Sequence, residues 1–475
     1  MKKYLPYNQI ITPKIHPDVA YFIDHFTSVI IEKTTDSLGV LLVVFPHVVT
    51  ERIETMQKYF AENNTNVQIY AAHKPTRSTA LMRALYKKGV HVDVASLGEL
   101  EHALSIGWDG KNIECTGSKH PQFIQKAIDV GALISVDSVH ELQLVIALSK
   151  KKNVRILLRI SNPSCSDRNQ VLRTSRFGII KDRIESFVYP LLKDNQHIQL
   201  MGFHIHNDER DADVKGEYVF DLLSLIQKAY AQGFLPSIIN IGGGWRDTEL
   251  SYPDQWQSFI ESLEHNLVKG KTLKTWRQGS FGLYLNEKGR ISGREKIQGK
   301  FLEIPMQVSI FKLLNKKNSE GHTVKELINE SLLQLMIEPG YTLFTSAGFS
   351  AMTVLSVEDN ADGTKRVVVD GNMYDLSIQM REQFFDPYLL SKQDKDEETN
   401  WEGYIVGNLC REEDMLLKRA VNFSKIPEPG DVIVFLNTSA YSSSFETSHS
   451  HMHAPAKELV VYKEKNNKFT YSISL

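Results

Sequence analysis

The sequence predicts an α/β fold, a (β/α)8 barrel followed by a mostly antiparallel β domain of barrel or sandwich type. Three observations lead there. Short β-branched runs alternate with helical patterns through the middle of the chain. About eight such units occur, as many as a closed barrel needs. After Gly340 the helical periodicity gives way to short strands with turn signals between them. An open doubly wound sheet is the structural rival.

The barrel strand candidates are Val67–Ala71, Val90–Val94, Asn112–Thr116, Leu133–Asp137, Val154–Ile160, Gln199–Ile205, Ile238–Ile241 and Leu335–Glu338. Between them, Ser78–Lys88, Leu97–Ile106 and Ser138–Leu148 carry apolar residues at helical spacing. Such alternation implies right-handed βαβ units and a parallel sheet. The last two candidates stand roughly ninety residues apart, where a βα unit takes about thirty to forty. That gap holds Gly282–Gly293, which reads as a hairpin turning at Asn286–Gly289, so an inserted subdomain around 270–320 is expected on the barrel rim. Met352–Val357, Arg366–Val369, Ile405–Gly407, Asp431–Phe435 and Lys468–Ser474 are the strands expected in the second domain. The expected division is a segment 1–40, a barrel over 41–340 and a β domain over 341–475.

Composition sets the outer bounds. Of 475 residues, 42% are hydrophobic and 24% charged, which excludes a disordered or fibrous chain. A net charge of -2 gives no global basic field for nucleic acid. The cysteines, Cys115, Cys165 and Cys410, are too few and too far apart for a disulfide framework or a Cys-rich zinc site. They fit reduced thiols in a cytoplasmic protein, Cys115 and Cys165 as small buried residues. No apolar segment follows the basic N-terminus, and no run approaches the ~18 residues of a membrane span, so neither a secretory signal nor a membrane partner is expected. Lys392–Glu398 reads as a solvated charged loop.

In a (β/α) barrel, chemistry gathers at the C-terminal ends of the strands. There the sequence places Lys74, then His204 and His206, then Gly242-Gly243-Gly244, then Glu338. A lysine desolvated at such a mouth can form a Schiff base. Glycines let backbone N–H groups approach a phosphate. A carboxylate can keep a pyridine nitrogen protonated, and an imidazole can stack on a planar ring. Those are the four needs of pyridoxal phosphate. The bland alternatives are a surface lysine, a flexible glycine turn, a core histidine and a Glu-Pro-Gly turn.

The same residues carry a resemblance. Tyr70–Lys74 followed by Val92–Leu100, Ile241–Gly244, Glu338–Gly340, Val369–Leu376, Gly407–Cys410 and Ala440-Tyr441 resemble the fold-type III pyridoxal-phosphate decarboxylases, the ornithine and diaminopimelate decarboxylase family. Thr275–Gly293 and Phe435–Tyr441 look like its Y4yA-like branch. The resemblance implies an alanine racemase-like two-domain architecture with residues 1 to about 40 packed on the β domain. It implies Lys74 as the Schiff-base lysine, His206 as the ring-stacking residue, Gly242, Gly243 and Gly244 as the phosphate loop and Glu338 as partner of the pyridine nitrogen. It makes Cys410 a proton donor supplied by the partner subunit of a homodimer, and sets Asp370, Asp414 and Tyr441 near the site, Tyr441 toward the phosphate.

Departures from the family pattern bear on the substrate. Tyr341 stands where the family has an arginine after Glu-Pro-Gly, and Asp208-Glu209 replace a Gly-Ser after the stacking histidine. Arg411 replaces an acidic residue that faces the distal amine of the substrate; a cation there repels an ammonium and attracts a carboxylate. Ser377-Ile378 follow Leu376 where diaminopimelate enzymes have Arg-Pro. The function expected is decarboxylation of an α-amino acid, a diamino acid or its citryl conjugate such as citryl-ornithine in carboxylate-siderophore biosynthesis. The alternatives are free ornithine, lysine or diaminopimelate as substrate, an amino-acid racemase, or an inactive regulatory homologue. His449, His451 and His453 alternate along an expected strand; that spacing could hold a metal, but a His-rich strand near a dimer interface accounts for it, and no metal is assigned.

Overall fold

The computed structural model describes residues 11–63, 65–161, 175–207, 209–294, 304–376, 385–392, 400–441 and 450–474. They fall into two compact units. One comprises Val49–Arg246 and Pro305–Leu343; the other comprises the described residues of Met1–Val48, Asp247–Ile304 and Phe344–Leu475.

The first unit is a closed eight-stranded parallel barrel. Its strands are Val67–Ala72, His91–Val94, Ile113–Cys115, Leu133–Val136, Val154–Arg159, Ile198–His204, Ile238–Asn240 and Gln334–Ile337. The last closes the ring, with Leu335 opposite Val67 on one side and Gln334 opposite Ile238 on the other. Each expected barrel strand is present, and the open sheet is excluded. The floor of the barrel is apolar, built from Tyr70, Leu133, Leu157, Ile238 and Met336. Serines set the helix starts: Ser78, Ser96 and Ser138 accept the N–H groups of Leu81, Glu99 and Glu141. Each cap contributes about 1 kcal/mol and ends the strand-to-helix turn within a few residues. These three strand-to-helix turns are thereby kept short.

The second unit holds a nine-stranded mixed sheet. Most neighbours are antiparallel, as expected, but Lys365–Val369 runs parallel to Trp401–Val406, and Leu41–Val44 parallel to Lys457–Lys463. Leu41–Val44, within the stretch expected to form the barrel, is a sheet strand, with Leu41 opposite Ala351. Val40, Met352, Val367, Val369, Trp401, Ile405 and Phe435 share this unit's main core. Residues before Val40 form two helices, Pro17–His25 and Thr27–Ser37.

The inserted segment carries its hairpin, Ile291 pairing with Leu285 and Asn286 accepting Gly289 N–H. Its apolar residues Leu250, Trp256, Phe259, Leu263 and Leu283 pack with Ile11 and Phe385. That shared core is why 247–304 clusters with the sheet unit. The strand expected across His449–His453 does not form: Ser450–Met452 is a single 3-10 turn, with His451 in the left-handed region (φ 58°), ahead of Pro455. His449, Cys165, Asp208, Ser377 and Ile378 lie outside the described residues, as does most of the charged run from Lys392. Among the described residues no helix is long and apolar enough to cross a membrane.

Candidate active site

Lys74 lies in the turn directly after the first barrel strand, and its side chain is exposed. Its backbone is fixed on both sides: His73 N–H donates to Asp93 O at 2.9 Å, and Thr76 N–H to His73 O at 3.1 Å. The Glu-Pro-Gly turn is seated against the same segment. Ala72 N–H donates to Pro339 O at 3.0 Å, and a Cβ on Gly340 would lie 2.8 Å from Pro75 Cγ. Position 340 therefore excludes any side chain, and the contact brings Glu338 and Lys74 to one mouth.

His73 is buried, with Nε2 2.7 Å from His102 Nδ1. Burial, then the neighbouring His102, pushes its pKa down to about 4. In the unfolded chain the ring titrates near 6.5, so below that pH the unfolded state binds a proton the native state refuses. Stability is expected to fall by up to ~3 kcal/mol between pH 6.5 and about 4. Denaturant midpoints across that range should show the decline, and a His73→Gln variant should flatten it.

Glu338 is almost fully buried and has three neighbours of consequence. Asn240 Nδ2 donates to its Oε1 at 2.7 Å, His206 Nδ1 lies 3.3 Å from its Oε2, and His204 Nε2 lies 3.3 Å from Oε1 without hydrogen-bond geometry. Burial raises its pKa, while the Asn240 bond and the Arg159, Lys74 and Lys215 cations oppose the rise. His204 is itself fully buried and bonded through Nδ1 to Ser135 Oγ at 2.7 Å. Burial keeps it far below the ordinary histidine range, hence neutral.

The glycine loop is locked from several directions. Gly242 N–H donates to Asn240 Oδ1 at 2.8 Å, Trp245 Nε1 to Gly242 O at 2.8 Å, and Lys215 Nζ to Gly243 O at 2.7 Å. Gly243 N–H lies 3.3 Å from His206 Nδ1, which can serve either this donor or Glu338, not both at once. The amides of Gly242 and Gly243 thus shape the loop more than they offer donors. Gly242 has φ 64°, and a Cβ there would meet His206 Cβ at 2.6 Å. Gly242→Ala is therefore expected to strain the backbone by about 1–3 kcal/mol and to push the imidazole aside. Cofactor titration should show binding weakened at least about tenfold.

Tyr341 is buried, and the guanidinium of Arg246 lies over its ring, 4.0 Å from the centroid. A cation thus stands beside the position where the family pattern lost its arginine. Arg159, on the fifth strand, donates to His206 O at 2.7 Å and steadies the histidine expected to stack on the ring. Asp93 accepts Thr116 Oγ1–H at 2.6 Å, and burial and then Glu338 raise its pKa. Arg159, Asp93, Asn240, Lys215 and Arg246 were not among the expected site residues; strand-end position was the available signal for Asp93 and Asn240.

The sheet unit gathers its own set. Asn408 N–H donates to Gly371 O and its Nδ2 to Asp370 Oδ1, both at 2.9 Å, so the two Gly-Asn motifs meet. Asp414 is buried and accepts Met373 N–H at 2.7 Å and Leu409 N–H at 2.8 Å. These bonds clamp the loop pair. The clamp holds Cys410 at an exposed loop tip. Arg411 is exposed, 2.8 Å from Tyr374 Oη and 3.3 Å from Glu413. Tyr441 is half-buried with φ 58°.

The donor set fits pyridoxal phosphate: a lysine beside a buried carboxylate, an imidazole next to that carboxylate, and a glycine cradle that a Cβ would fill. His204, His206 and Glu338 also bring three ligand atoms within 4.8 Å of one another, a spacing a metal could use. The comparisons decide for the organic group. The family model for the pyridoxal-binding domain of pyridoxal-dependent decarboxylases matches residues 47–275. An uncharacterized protein, y4yA, of Sinorhizobium fredii is 25% identical over 89% of this chain and 87% of its own. The L-glutamyl-[BtrI acyl-carrier protein] decarboxylase of Niallia circulans is 24% identical over 82% of this chain and 81% of its own. The crystal structure of diaminopimelate decarboxylase from Helicobacter pylori complexed with L-lysine shares the fold, with a TM-score of 0.66, 17% identity and coverage of 91% and 93%.

Proposed function

We propose, from the premise that this chain belongs to the fold-type III pyridoxal-phosphate-dependent decarboxylases, that it removes the α-carboxylate of an amino acid whose distal end is extended and acidic. A citryl conjugate of ornithine is the example we favour. The chain is a pyridoxal-phosphate-dependent amino-acid carboxy-lyase; the identity of the substrate and the roles of single residues are our reading.

Bound at the barrel mouth, the cofactor supplies an electron sink for the pair released when the Cα–carboxylate bond breaks. Lys74 would hold the cofactor through its amine and would give place to the amine of the substrate. Glu338 would hold the proton of the ring nitrogen, and His206 would pack against the ring. Gly242, Gly243 and Gly244 shape the phosphate end, with Tyr441 toward it. Cys410, contributed by a second copy of the chain, returns a proton to Cα, while Arg411 of the same loop meets the distal carboxylates and Asp370 braces that loop. The observation that carries the reaction class is the buried Glu338 clamped by Asn240 beside His206.

Arg411 carries the substrate class. Arg411 follows Cys410 in the chain, and its exposed guanidinium could offer a distal carboxylate a charge-assisted contact. A relative named for a glutamyl group joined to a carrier protein supports an enlarged acyl substrate. A second reading, a free diamino acid, draws on Glu413, 3.3 Å from Arg411, which partly neutralises it. Carbon dioxide release and product mass with citryl-ornithine and with ornithine separate the two. Citryl-ornithine should lose one carbon dioxide, and Arg411→Ala should lower its kcat/KM about tenfold or more, the scale of one charged hydrogen bond. Turnover of ornithine alone would overturn the citryl reading.

A further inference from the structure

The barrel holds an acidic group that the proposed reaction does not use. Glu114, in the middle of the third strand, is fully buried. Both its oxygens face Asn240 Nδ2, Oε2 at 2.9 Å and Oε1 at 3.0 Å. The same Nδ2 donates to Glu338 Oε1 at 2.7 Å. One amide with two hydrogens therefore bridges two buried carboxyl groups. Asn240 Oδ1 meanwhile accepts Gly242 N–H, so this side chain also ties both acids to the glycine loop.

We propose that Glu114 and Glu338 form an acid–carboxylate pair clamped by Asn240, in which Glu114 carries a proton at neutral pH and the pair bears a single negative charge, on Glu338. Two carboxylates on one buried amide cannot both ionise at modest cost. The surroundings say which keeps the proton. Glu338 faces Arg159, Lys74 and Lys215, which favour its anion. Glu114 is opposed by burial, by Glu338 and by Asp93, its register neighbour on the second strand. The cation that most favours the Glu114 anion is Lys119, which is itself bonded to Glu141 at 2.7 Å. Among the described residues Tyr70, Cys115 and Arg159 also interact with it, and burial keeps Tyr70 and Cys115 protonated. The shorter Asn240 contact also goes to Glu338. A pair with one charge matches one protonated ring nitrogen, whereas two charges would leave a buried anion unmatched. Asn240 and Glu114 are then positioning residues for Glu338. This inference rests on the proposed cofactor site, but its first test does not.

The test is infrared spectroscopy of cofactor-free protein, reading the C=O stretch of a protonated carboxyl group, which carboxylates lack. Wild type should show such a band at neutral pH, shifting slowly on transfer to heavy water because the group is shielded. Burial and Glu338 hold Asp93 protonated too, so Glu114→Gln should remove one component of the band, with Asp93 supplying another, and Glu338→Gln should keep the Glu114 component. Absence of a slowly exchanging band in wild type, a reading that needs no variant, overturns the proposal. So does a band that Glu114→Gln leaves unchanged in shape and intensity. The second readout is the absorbance–pH profile of the holoenzyme. Glu114→Gln replaces one neutral group by another and should leave the midpoint in place. A shift of more than about one pH unit, the scale of a neighbouring charge, would mean that Glu114 is ionised. Failure to bind cofactor would sink the site reading while leaving the infrared result standing.

Discussion

Replacing Lys74 by Ala is expected to abolish the visible absorbance of the lysine-attached cofactor and to lower kcat by at least about 10²–10⁴-fold, the range lost with a single proton-transferring group. The effect should be chemical, not structural. The side chain is exposed, and the turn is held by the backbone bonds of His73 and Thr76 and by the Pro339 carbonyl, none of which involves the Lys74 ammonium. Thermal stability of the cofactor-free variant should match wild type. Lys74→Arg should not rescue, because a guanidinium stays protonated and cannot attack a carbonyl carbon. Spectra of the purified holo variants, with turnover on the same samples, check both statements. An unchanged absorbance in Lys74→Ala would remove Lys74 from the chemistry.

Glu338→Gln should lower kcat by about 10²–10³-fold, the size of losing one preorganised electrostatic partner, with a smaller change in KM. The amide keeps the volume and can still accept from Asn240, so the glycine loop should stay in register. What disappears is the negative charge. Glu338→Asp, which keeps the charge, should recover part of the rate. Steady-state kinetics across pH distinguishes this from misfolding, since a folding defect would depress Gln and Asp variants alike.

Much of this was legible in the chain. The eight barrel strands showed because each is a short, mostly apolar run, and several are followed by a serine-capped or proline-started helix. Lys74, His206 and Glu338 showed because they follow strands directly. Leu41–Val44 did not: an apolar run followed by the helix Pro46–Glu62 looks like one more barrel unit, and only pairing with Ala351 and Lys457 reveals it as a sheet strand. The allegiance of 247–304 was hidden for the same reason, since its core is completed by Ile11 and Phe385, far away in sequence. Asn240 and Glu114 were silent because a buried polar residue acquires meaning only from partners such as Glu338. Asp414 was visible as a motif residue, but its work on the Met373 and Leu409 amides was not. The alternating histidines misled, because local periodicity cannot register the turn at His451 ahead of Pro455.

The central claim is that the barrel mouth attaches pyridoxal phosphate through Lys74. Borohydride reduction of the holoenzyme, followed by peptide mass mapping, tests it most directly. The account predicts one phosphopyridoxyl group per chain, on the peptide containing Lys74. Labelling of another lysine, or no covalent label in protein that binds the cofactor, would contradict it.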